Sequence, residues 1–412
     1  MTRKFATTTG LCIAAGVASL AAVAYVKLSP ATMAATQNTM ATTMSAPHEK
    51  MVPPMASPHE TMATPQATMA APHEPMSTAQ SPMAAPHGAM AAPMAGSHEA
   101  MAASMVAPHG MMATAPAVTY GTVVVDGLNI AYREAGNPAN PKLVLLHGFP
   151  ASSHQYRNLI ASLADQFHVI APDYPGFGNS DAPDPAKFSY TFDKLSDVVE
   201  GFLKAKGFDH YGLFVQDYGG PVGFRIVGRH PEALDWLIIQ NSNAYEVGFT
   251  PAWDGFRKAL WLNRSPETEK PLAGFLTHDA IKGIYTHGSK HPEKISPDNW
   301  EMDSALMQRP NEVRINLDLF YDYRTNVPLY PAWQTFLRER HPTTIIFWGQ
   351  DDVFFTKEGG EAYLKDLPNA EMHRLEAGHF AVEDNLDYIS SNIHRFYKEK
   401  VIAGNKATAS MK

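Results

Sequence analysis

The chain has 412 residues, enough for two or three domains, and 45% of them are hydrophobic, which is typical of proteins with a globular core. Acidic residues outnumber basic ones by 41 to 33, and the formal net charge of −8 argues against a nucleic-acid partner. Composition changes along the chain and separates an N-terminal segment, a low-complexity tail, a globular part at 118–402 and a C-terminal tail at 403–412.

Residues 1–30 have the pattern of an export segment. Arg3 and Lys4 give a positive start, no further charge occurs until Lys27, and Ala22-Val23-Ala24 fits an A-x-A cleavage site. The uncharged run also approaches the length of a spanning helix, so a cleaved signal peptide and an N-terminal membrane anchor are both open. Either interpretation predicts an exported protein, periplasmic or anchored in the inner membrane and facing the periplasm. The only cysteine lies in this segment, so the exported part has no disulfide.

Residues 31–117 form a tail of Met, Ala, Pro, Thr, Ser and His without any aromatic residue of the Trp, Tyr or Phe type. Such a segment cannot bury enough apolar surface to offset the entropy of ordering it, so we expect it to be disordered. It contains an internal repeat, Met-x-x-x-His-x-x-Met, in six copies: Met44, His48, Met51; Met55, His59, Met62; Met69, His73, Met76; Met83, His87, Met90; Met94, His98, Met101; and Met105, His109, Met112.

The repeat has two interpretations. Thioether and imidazole groups are a ligand set suited to Cu(I), and the segment is similar to Met/His-rich stretches of exported copper-handling proteins, so weak Cu(I) binding is one expectation. The other is a flexible tether that holds the globular part away from the membrane. Proline usually precedes the histidine, which argues against a helical ligand face.

In the globular part, strand-like runs alternate with helical patterns, which predicts a mainly parallel α/β sheet with helices on both faces. An opening hairpin turns at Asp126-Gly127. From about 243 to 340 aromatic-rich helical patterns replace the strands, which predicts a helical cap between strands 6 and 7. The predicted strands are Thr119–Val125, Leu128–Arg133, Lys142–Leu146, His168–Pro172, Leu213–Val215, Leu237–Gln240, Thr343–Trp348 and Glu371–Leu375, and the main predicted helices are Ser153–Asp165, Phe192–Lys206, Gly219–His230 and Val382–Lys400.

The most informative motif is Gln216-Asp217-Tyr218-Gly219-Gly220, between an apolar strand pattern and a helical pattern. Strand, sharp glycine turn and helix form the context of a nucleophile elbow, which presents one side chain at the top of a sheet. Here that side chain is the carboxylate of Asp217. An aspartate can attack saturated carbon, expel a halide or open an epoxide, and retain an alkyl ester.

Two further residues complete a triad in the chain order nucleophile, acid, base. Asp352 follows a strand in Trp-Gly-Gln-Asp-Asp, and His379 follows the last strand in Ala-Gly-His-Phe. His379 would activate water against the ester, and Asp352 would orient the imidazole. Asp351 is the competing choice for the acid, and spacing from Gly349 favours Asp352.

The ester intermediate also requires donors for its oxyanion. The backbone N–H of Tyr218, after the nucleophile, and that of Phe149, in His147-Gly148-Phe149-Pro150, are the expected pair. Zinc-type histidine spacing and a dinucleotide-binding glycine pattern are both missing from the sequence, so neither a zinc site nor a dinucleotide site is expected in this part.

These motifs carry a family resemblance. His-Gly-Phe-Pro, Asp-Tyr-Pro-Gly-Phe-Gly-Asn-Ser, Gln-Asp-Tyr-Gly-Gly, Trp-Gly-x-x-Asp and Gly-His-Phe resemble the haloalkane dehalogenase and epoxide hydrolase branch of the α/β-hydrolases, over nearly all of 118–400. The resemblance implies the α/β-hydrolase fold, the aspartyl-ester mechanism, no cofactor and a small apolar epoxide or haloalkane as substrate.

The substrate class depends on details of this resemblance. Tyr218 and Phe149 stand where haloalkane dehalogenases commonly have Trp and Asn or Glu, and fluoroacetate dehalogenases put Arg after the nucleophile. The segment 321–326 is similar to the Tyr-Arg-x-Asn segment of epoxide hydrolases, which implies Tyr323 as a proton donor.

No second tyrosine is evident early in the cap. Trp261 lies near that place, Tyr245 and Tyr285 are weaker substitutes, and Trp261 and His147 are candidate contacts to substrate or leaving group.

An epoxide hydrolase-like enzyme is the favoured prediction and a haloalkane dehalogenase-like enzyme the alternative. A copper-sequestering surface protein is the alternative from another class.

Overall fold

The computed structural model describes residues 117–404. The predicted export segment, the Met/His repeat with its candidate Cu(I) ligands, and the C-terminal tail beyond 404 lie outside the described residues. Between 117 and 404, no helix is long and apolar enough to span a membrane.

Within this part of the chain, eight strands form one sheet in the order β1-β2-β4-β3-β5-β6-β7-β8. β2 is antiparallel to both of its neighbours, and the six strands β3 to β8 run parallel to one another. The strands are β1 (Thr119–Val125), β2 (Leu128–Ala135), β3 (Lys142–Leu146), β4 (His168–Pro172), β5 (Tyr211–Gln216), β6 (Leu234–Gln240), β7 (Thr344–Gly349) and β8 (Glu371–Leu375).

The predicted α/β-hydrolase fold with a mostly parallel sheet is confirmed, and the opening hairpin shows why its sequence specifies a turn. Asp126 and Gly127 have φ values of 49° and 81°. Two consecutive left-handed residues match the tight hairpin turn that Asp-Gly favours, because glycine adopts positive φ without steric cost. This turn aligns Val125 with Leu128 in the β1–β2 register.

Helices cover both faces of the sheet and produce two cores. Val144 and Leu146 of β3 point into one apolar cluster, and Leu143 and Leu145 point into the other, as the two-residue period of a strand requires. The helices are α1 (Arg157–Leu163), α2 (Phe192–Ala205), α3 (Gly219–Arg229), α4 (Pro266–Leu272), α5 (His278–Thr286), α6 (Asp298–Leu306), α7 (Glu312–Asp322), α8 (Tyr330–Arg340), α9 (Lys357–Asp366), α10 (Ala381–Asp384) and α11 (Leu386–Phe396).

The chain between β6 and β7 is helical, as expected for a cap. It contains α4 to α8 and short helical turns, and its one isolated β-bridge in the described region joins Phe249 to Phe355. Cap side chains such as Tyr323 and Trp253 belong to the same apolar cluster as α2 and α3. The cap therefore packs over the face and strand ends where the predicted triad lies.

Differences from the predicted elements occur mainly at their ends. The last predicted helix divides at Asn385, whose φ and ψ of −129° and 33° are not helical, into α10 and α11. The strand predicted to begin at Leu237 begins three residues earlier in the structure, at Leu234. The sequence pattern missed this start because exposed Asp235 interrupts the apolar run, although Trp236 is buried. The first predicted helix starts as a 3-10 turn, Ser153–Tyr156, before α1.

Candidate active site

Asp217 occupies a sharp turn between β5 and α3. Its φ of 46° lies in the left-handed region, where a non-glycine residue is strained, and its side chain is buried. The turn requires glycine at both following positions, because neither has a Cβ. A Cβ on Gly219 would overlap the Leu146 carbonyl, and one on Gly220 would overlap the Ser242 hydroxyl. That hydroxyl donates a 2.9 Å hydrogen bond to the carbonyl of Asp217. The glycines and Ser242 thus hold a strained residue at the strand end.

Asp352 and His379 meet just after the ends of β7 and β8, on the far side of β6 from Asp217. Nδ1 of His379 lies 2.9 Å from Oδ2 of Asp352, and both side chains are fully buried. The backbone N–H of Phe354 donates to the other carboxylate oxygen at 2.7 Å. Asp351 is exposed, and its backbone N–H donates to Ala377. The structure therefore brings Asp352, and not Asp351, to the imidazole.

Asn241 links the two halves of this arrangement and was missed by the sequence reasoning. The side-chain amide of Asn241 donates to Asp352 at 2.8 Å and to the Gly349 carbonyl at 3.0 Å. Its backbone carbonyl accepts the N–H of Asp217 at 3.1 Å. Like Asp217 it has a positive φ, 39°. The signal available in the sequence was a polar run directly after β6, at the strand edge where the other site residues lie.

The carboxylate of Asp217 faces two backbone donors and one ring nitrogen. The N–H of Phe149 donates to Oδ1 at 2.8 Å, and the backbone N–H of Tyr218 is close enough to lower the pKa of the carboxyl group. Nε2 of His379 lies 3.9 Å from Oδ2. A tetrahedral intermediate at this carboxyl carbon would place its oxygen beside the same two N–H groups, which is the geometry of an oxyanion hole.

Burial changes the protonation of both groups. Burial raises the pKa of Asp217 to about 6, against the opposing influence of His379 and of the two backbone donors. For His379, burial favours the neutral ring, but the Asp352 carboxylate and then Asp217 outweigh it and raise its pKa above the ordinary value. An ionised Asp217 therefore favours the charged form of His379, and a charged His379 favours an ionised Asp217.

A small aromatic cavity of about 20 Å³ lies in front of Asp217. Its polar side chains are Asp217 itself and the tyrosines of the elbow and the cap. The lining residues are Phe149, Asp217, Tyr218, Trp253, Phe256, Phe275, Phe320, Tyr323 and Phe354. Such walls suit a small uncharged apolar substrate, because a charged group would lose its hydration without gaining a partner.

Tyr323 brings a hydroxyl from the cap to this cavity. Its ring packs 4.5 Å from that of Trp253 and 5.5 Å, edge-on, from that of Phe192. No residue between 117 and 404 makes a hydrogen bond of standard geometry with this hydroxyl. Burial, with Tyr330 and Asp217 nearby, holds the pKa of Tyr323 well above its ordinary value, so the hydroxyl keeps its proton until a stronger base forms beside it.

A profile of the α/β-hydrolase fold matches residues 141–386, which include every member of the triad. The chain belongs to this family. It is 39% identical over 279 residues to an uncharacterized hydrolase of Saccharomyces cerevisiae, a match that covers 67% of this chain and 96% of the yeast protein. This α/β-hydrolase is also 26% identical over 298 residues to epoxide hydrolase 4 of Mus musculus, covering 68% and 79% of the two chains. A haloalkane dehalogenase of Bradyrhizobium diazoefficiens is 24% identical over 286 residues, covering 65% and 90%.

Solved structures agree on the fold. A ligand-free epoxide hydrolase superimposes with a TM-score of 0.57 at 21% identity, covering 68% of this chain and 99% of its own. At this identity the likeness concerns the fold and not the substrate. Among residues 117–404 of the hydrolase, no group of three His, Cys, Asp or Glu side chains is arranged to hold a metal ion.

The structure places the other sequence-predicted contacts of this hydrolase away from the cavity. Trp261 stacks on Tyr323 at 6.1 Å, and its indole N–H donates to the Phe320 carbonyl at 2.9 Å. The tryptophan that lines the cavity is Trp253, whose N–H donates to the Phe354 carbonyl at 2.9 Å. No local pattern distinguishes the two tryptophans, because the side of a cap segment that faces the cavity depends on packing.

His147 does not line the cavity. Its Nε2 accepts the N–H of Tyr174 at 3.2 Å, and its ring stacks on that tyrosine. Burial lowers the pKa of His147 to about 4, so the ring is neutral near neutral pH. Tyr245 and Tyr285 do not line the cavity either, because their hydroxyls each lie 2.6 Å from a carboxylate elsewhere, that of Asp366 and Asp303 respectively.

Proposed function

We propose that this α/β-hydrolase opens small apolar epoxides through an ester on Asp217. The observation that supports the proposal is a buried carboxylate on a strained elbow, with two backbone donors on one side and the His379–Asp352 pair on the other. Because burial raises the pKa of Asp217, the carboxylate is more nucleophilic than an exposed one, and esterification removes a costly buried charge.

In the first step, an oxygen of Asp217 attacks an epoxide carbon and the carbon–oxygen bond of the ring breaks. The Tyr323 hydroxyl gives its proton to the departing alkoxide and becomes a phenolate. The product of this step is a hydroxyalkyl ester of Asp217. A proton donor is needed here because an alkoxide is a poor leaving group in an apolar cavity.

In the second step, His379 takes a proton from water, and the hydroxide adds to the ester carbonyl. The N–H groups of Phe149 and Tyr218 hold the resulting oxyanion. Collapse of this intermediate releases the diol, whose alkoxide takes the proton from His379, and the new carboxylic acid returns a proton to the Tyr323 phenolate. Epoxide and water are thereby converted into a diol, and the enzyme is restored.

The choice of epoxide over haloalkane rests on the donors around the cavity. A departing halide is stabilised by N–H groups, but the indole N–H groups of Trp253 and Trp261 already donate to backbone carbonyls. Tyr323, by contrast, lines the cavity with Asp217, and its hydroxyl makes no hydrogen bond of standard geometry among the described residues, although the hydroxyl of Tyr330 is close to it. A hydroxyl suits the protonation of an alkoxide.

A matched substrate pair tests this choice. Purified protein is given an epoxide and a bromoalkane with the same carbon skeleton, and diol and bromide are measured, with Asp217→Ala as the control for uncatalysed reaction. We expect diol formation that depends on Asp217 and little bromide. Bromide release without diol formation would assign the enzyme to dehalogenation.

Export is part of the proposal and rests on the sequence of 1–30 alone. Fractionation of cells that make the full chain should place the enzyme in the periplasm or at the inner membrane. Recovery of the full-length protein from the cytosol would contradict it.

A further inference from the structure

Gln216, the residue directly before the nucleophile, is fully buried and reaches the base and not the cavity. The amide nitrogen of Gln216 lies 2.9 Å from Nε2 of His379 and 3.4 Å from the His379 carbonyl. Oδ2 of Asp217 is farther from the same ring nitrogen, at 3.9 Å. In the resting site, the nitrogen that must activate water is therefore in contact with an amide.

The orientation of this amide is fixed by a chain of hydrogen bonds. The backbone N–H of Gly148 donates to Oε1 of Gln155 at 3.3 Å, and the amide of Gln155 in turn donates to Oε1 of Gln216 at 3.5 Å. A backbone N–H can only donate, so the first link sets the direction of every later one, and the NH2 group of Gln216 must face His379. Gly148 also leaves the space, since a Cβ there would overlap Oε1 of Gln216.

An NH2 group that faces Nε2 requires this nitrogen to be an acceptor. The ring then carries its proton on Nδ1, where it donates to Asp352 at 2.9 Å. We propose that Gln216 is a positioning residue for His379, whose amide keeps Nε2 unprotonated and the ring oriented until the hydrolytic water takes its place. The inference deepens the proposed function, because it concerns the base that hydrolyses the Asp217 ester.

Gln216 opposes the effect of the neighbouring carboxylates on the protonation of His379. The charged groups that face His379 are Asp352 at Nδ1 and Asp217 at Nε2, and both favour a charged ring. The rings of Phe354, Phe355 and Phe380 surround the rest of the imidazole and carry no charge. Protonation of Nε2 would set its N–H against the NH2 group of Gln216, so the amide favours the neutral ring that catalysis needs.

The neighbouring strand supplies a matched control. Gln240 is the register partner of Gln216, at the end of β6, and it is equally buried. Its amide also reaches the His379 carbonyl, at 3.4 Å, but no hydrogen bond joins it to the ring. Gln216→Met removes the donor at Nε2 with little change in length, and Gln240→Met removes only a contact to the backbone.

Two measurements test the proposal. Nitrogen NMR of the full-length protein gives the tautomer and pKa of His379, whose signal among the 18 histidines is identified by comparison with His379→Gln. Single-turnover kinetics give the pH dependence of ester hydrolysis. In Gln216→Met we expect the pKa of His379 to rise by about half to one unit, the value of one net hydrogen bond, and the acid limb of ester hydrolysis to move up equally. Gln240→Met should leave both unshifted.

A purely structural role would lower the rate of ester hydrolysis at every pH without moving its acid limb. An unshifted pKa in Gln216→Met, or an equal shift in Gln240→Met, would overturn the role of Gln216. If the wild-type protein forms no ester on Asp217, the proposed function fails, but the NMR titration still decides whether Gln216 controls the protonation of His379.

Discussion

The burial of Asp217 gives the first chemical step a distinctive pH dependence. Attack requires the ionised carboxylate, and burial raises the pKa of this group to about 6. The ionised fraction then falls from about nine tenths at pH 7 to about one tenth at pH 5, so the rate of ester formation should fall about ten-fold. An ordinary aspartate would remain largely ionised over this interval and show almost no change.

His379→Gln sharpens the same prediction. The variant removes the ring whose charge lowers the pKa of Asp217. The acid limb of its pH profile for ester formation should therefore lie at higher pH than that of the wild type. Without the base, the ester should also accumulate. Trapping is therefore best attempted at about pH 8, where the carboxylate remains ionised in spite of the shift.

Rapid quenching followed by intact-protein mass spectrometry measures both effects. The mass should increase by that of the substrate, on the peptide that contains Asp217, and Asp217→Ala should show no increase. A single turnover in heavy-oxygen water should label Asp217 first. A rate that is constant between about pH 5 and 7 would refute the pKa argument. Label that enters product directly, with no adduct in His379→Gln, would show that Asp217 acts as a general base.

Three further outcomes are expected. Tyr323→Phe should lower epoxide turnover by roughly 100-fold but bromoalkane turnover much less, and equal small effects would exclude it as the donor. Gly148→Ala should abolish ester formation and lower the melting temperature, because the Cβ overlaps Asp217, whereas Gly228→Ala, with nothing within 4 Å, should do neither. A peptide of residues 31–117 should bind several Cu(I) ions weakly, and deletion of this tail should leave turnover unchanged; absence of saturable binding at micromolar metal would favour the tether.

The elements that the sequence predicted well are those specified by local patterns. β1, β3 and β4 were placed at their observed limits, because their sequences are short apolar or β-branched runs bounded by turn residues. The elbow at Asp217 was also predictable, since strand, glycine turn and helix are adjacent in the chain. The order of Asp217, Asp352 and His379 then predicted that three distant segments would meet at the same edge of the sheet.

Packing decided what those patterns could not express. Asp351 and Asp352 are adjacent in sequence, yet one is exposed and the other lies against His379. In the cap, Trp253 and not Trp261 lines the cavity, because the rotation of a helical turn is set by its neighbours. The roles of Asn241 and Gln216 depend on hydrogen bonds between strands far apart in the chain. Short-range patterns thus predicted the fold and the position of the candidate nucleophile Asp217, while long-range packing and burial determined which side chains surround it.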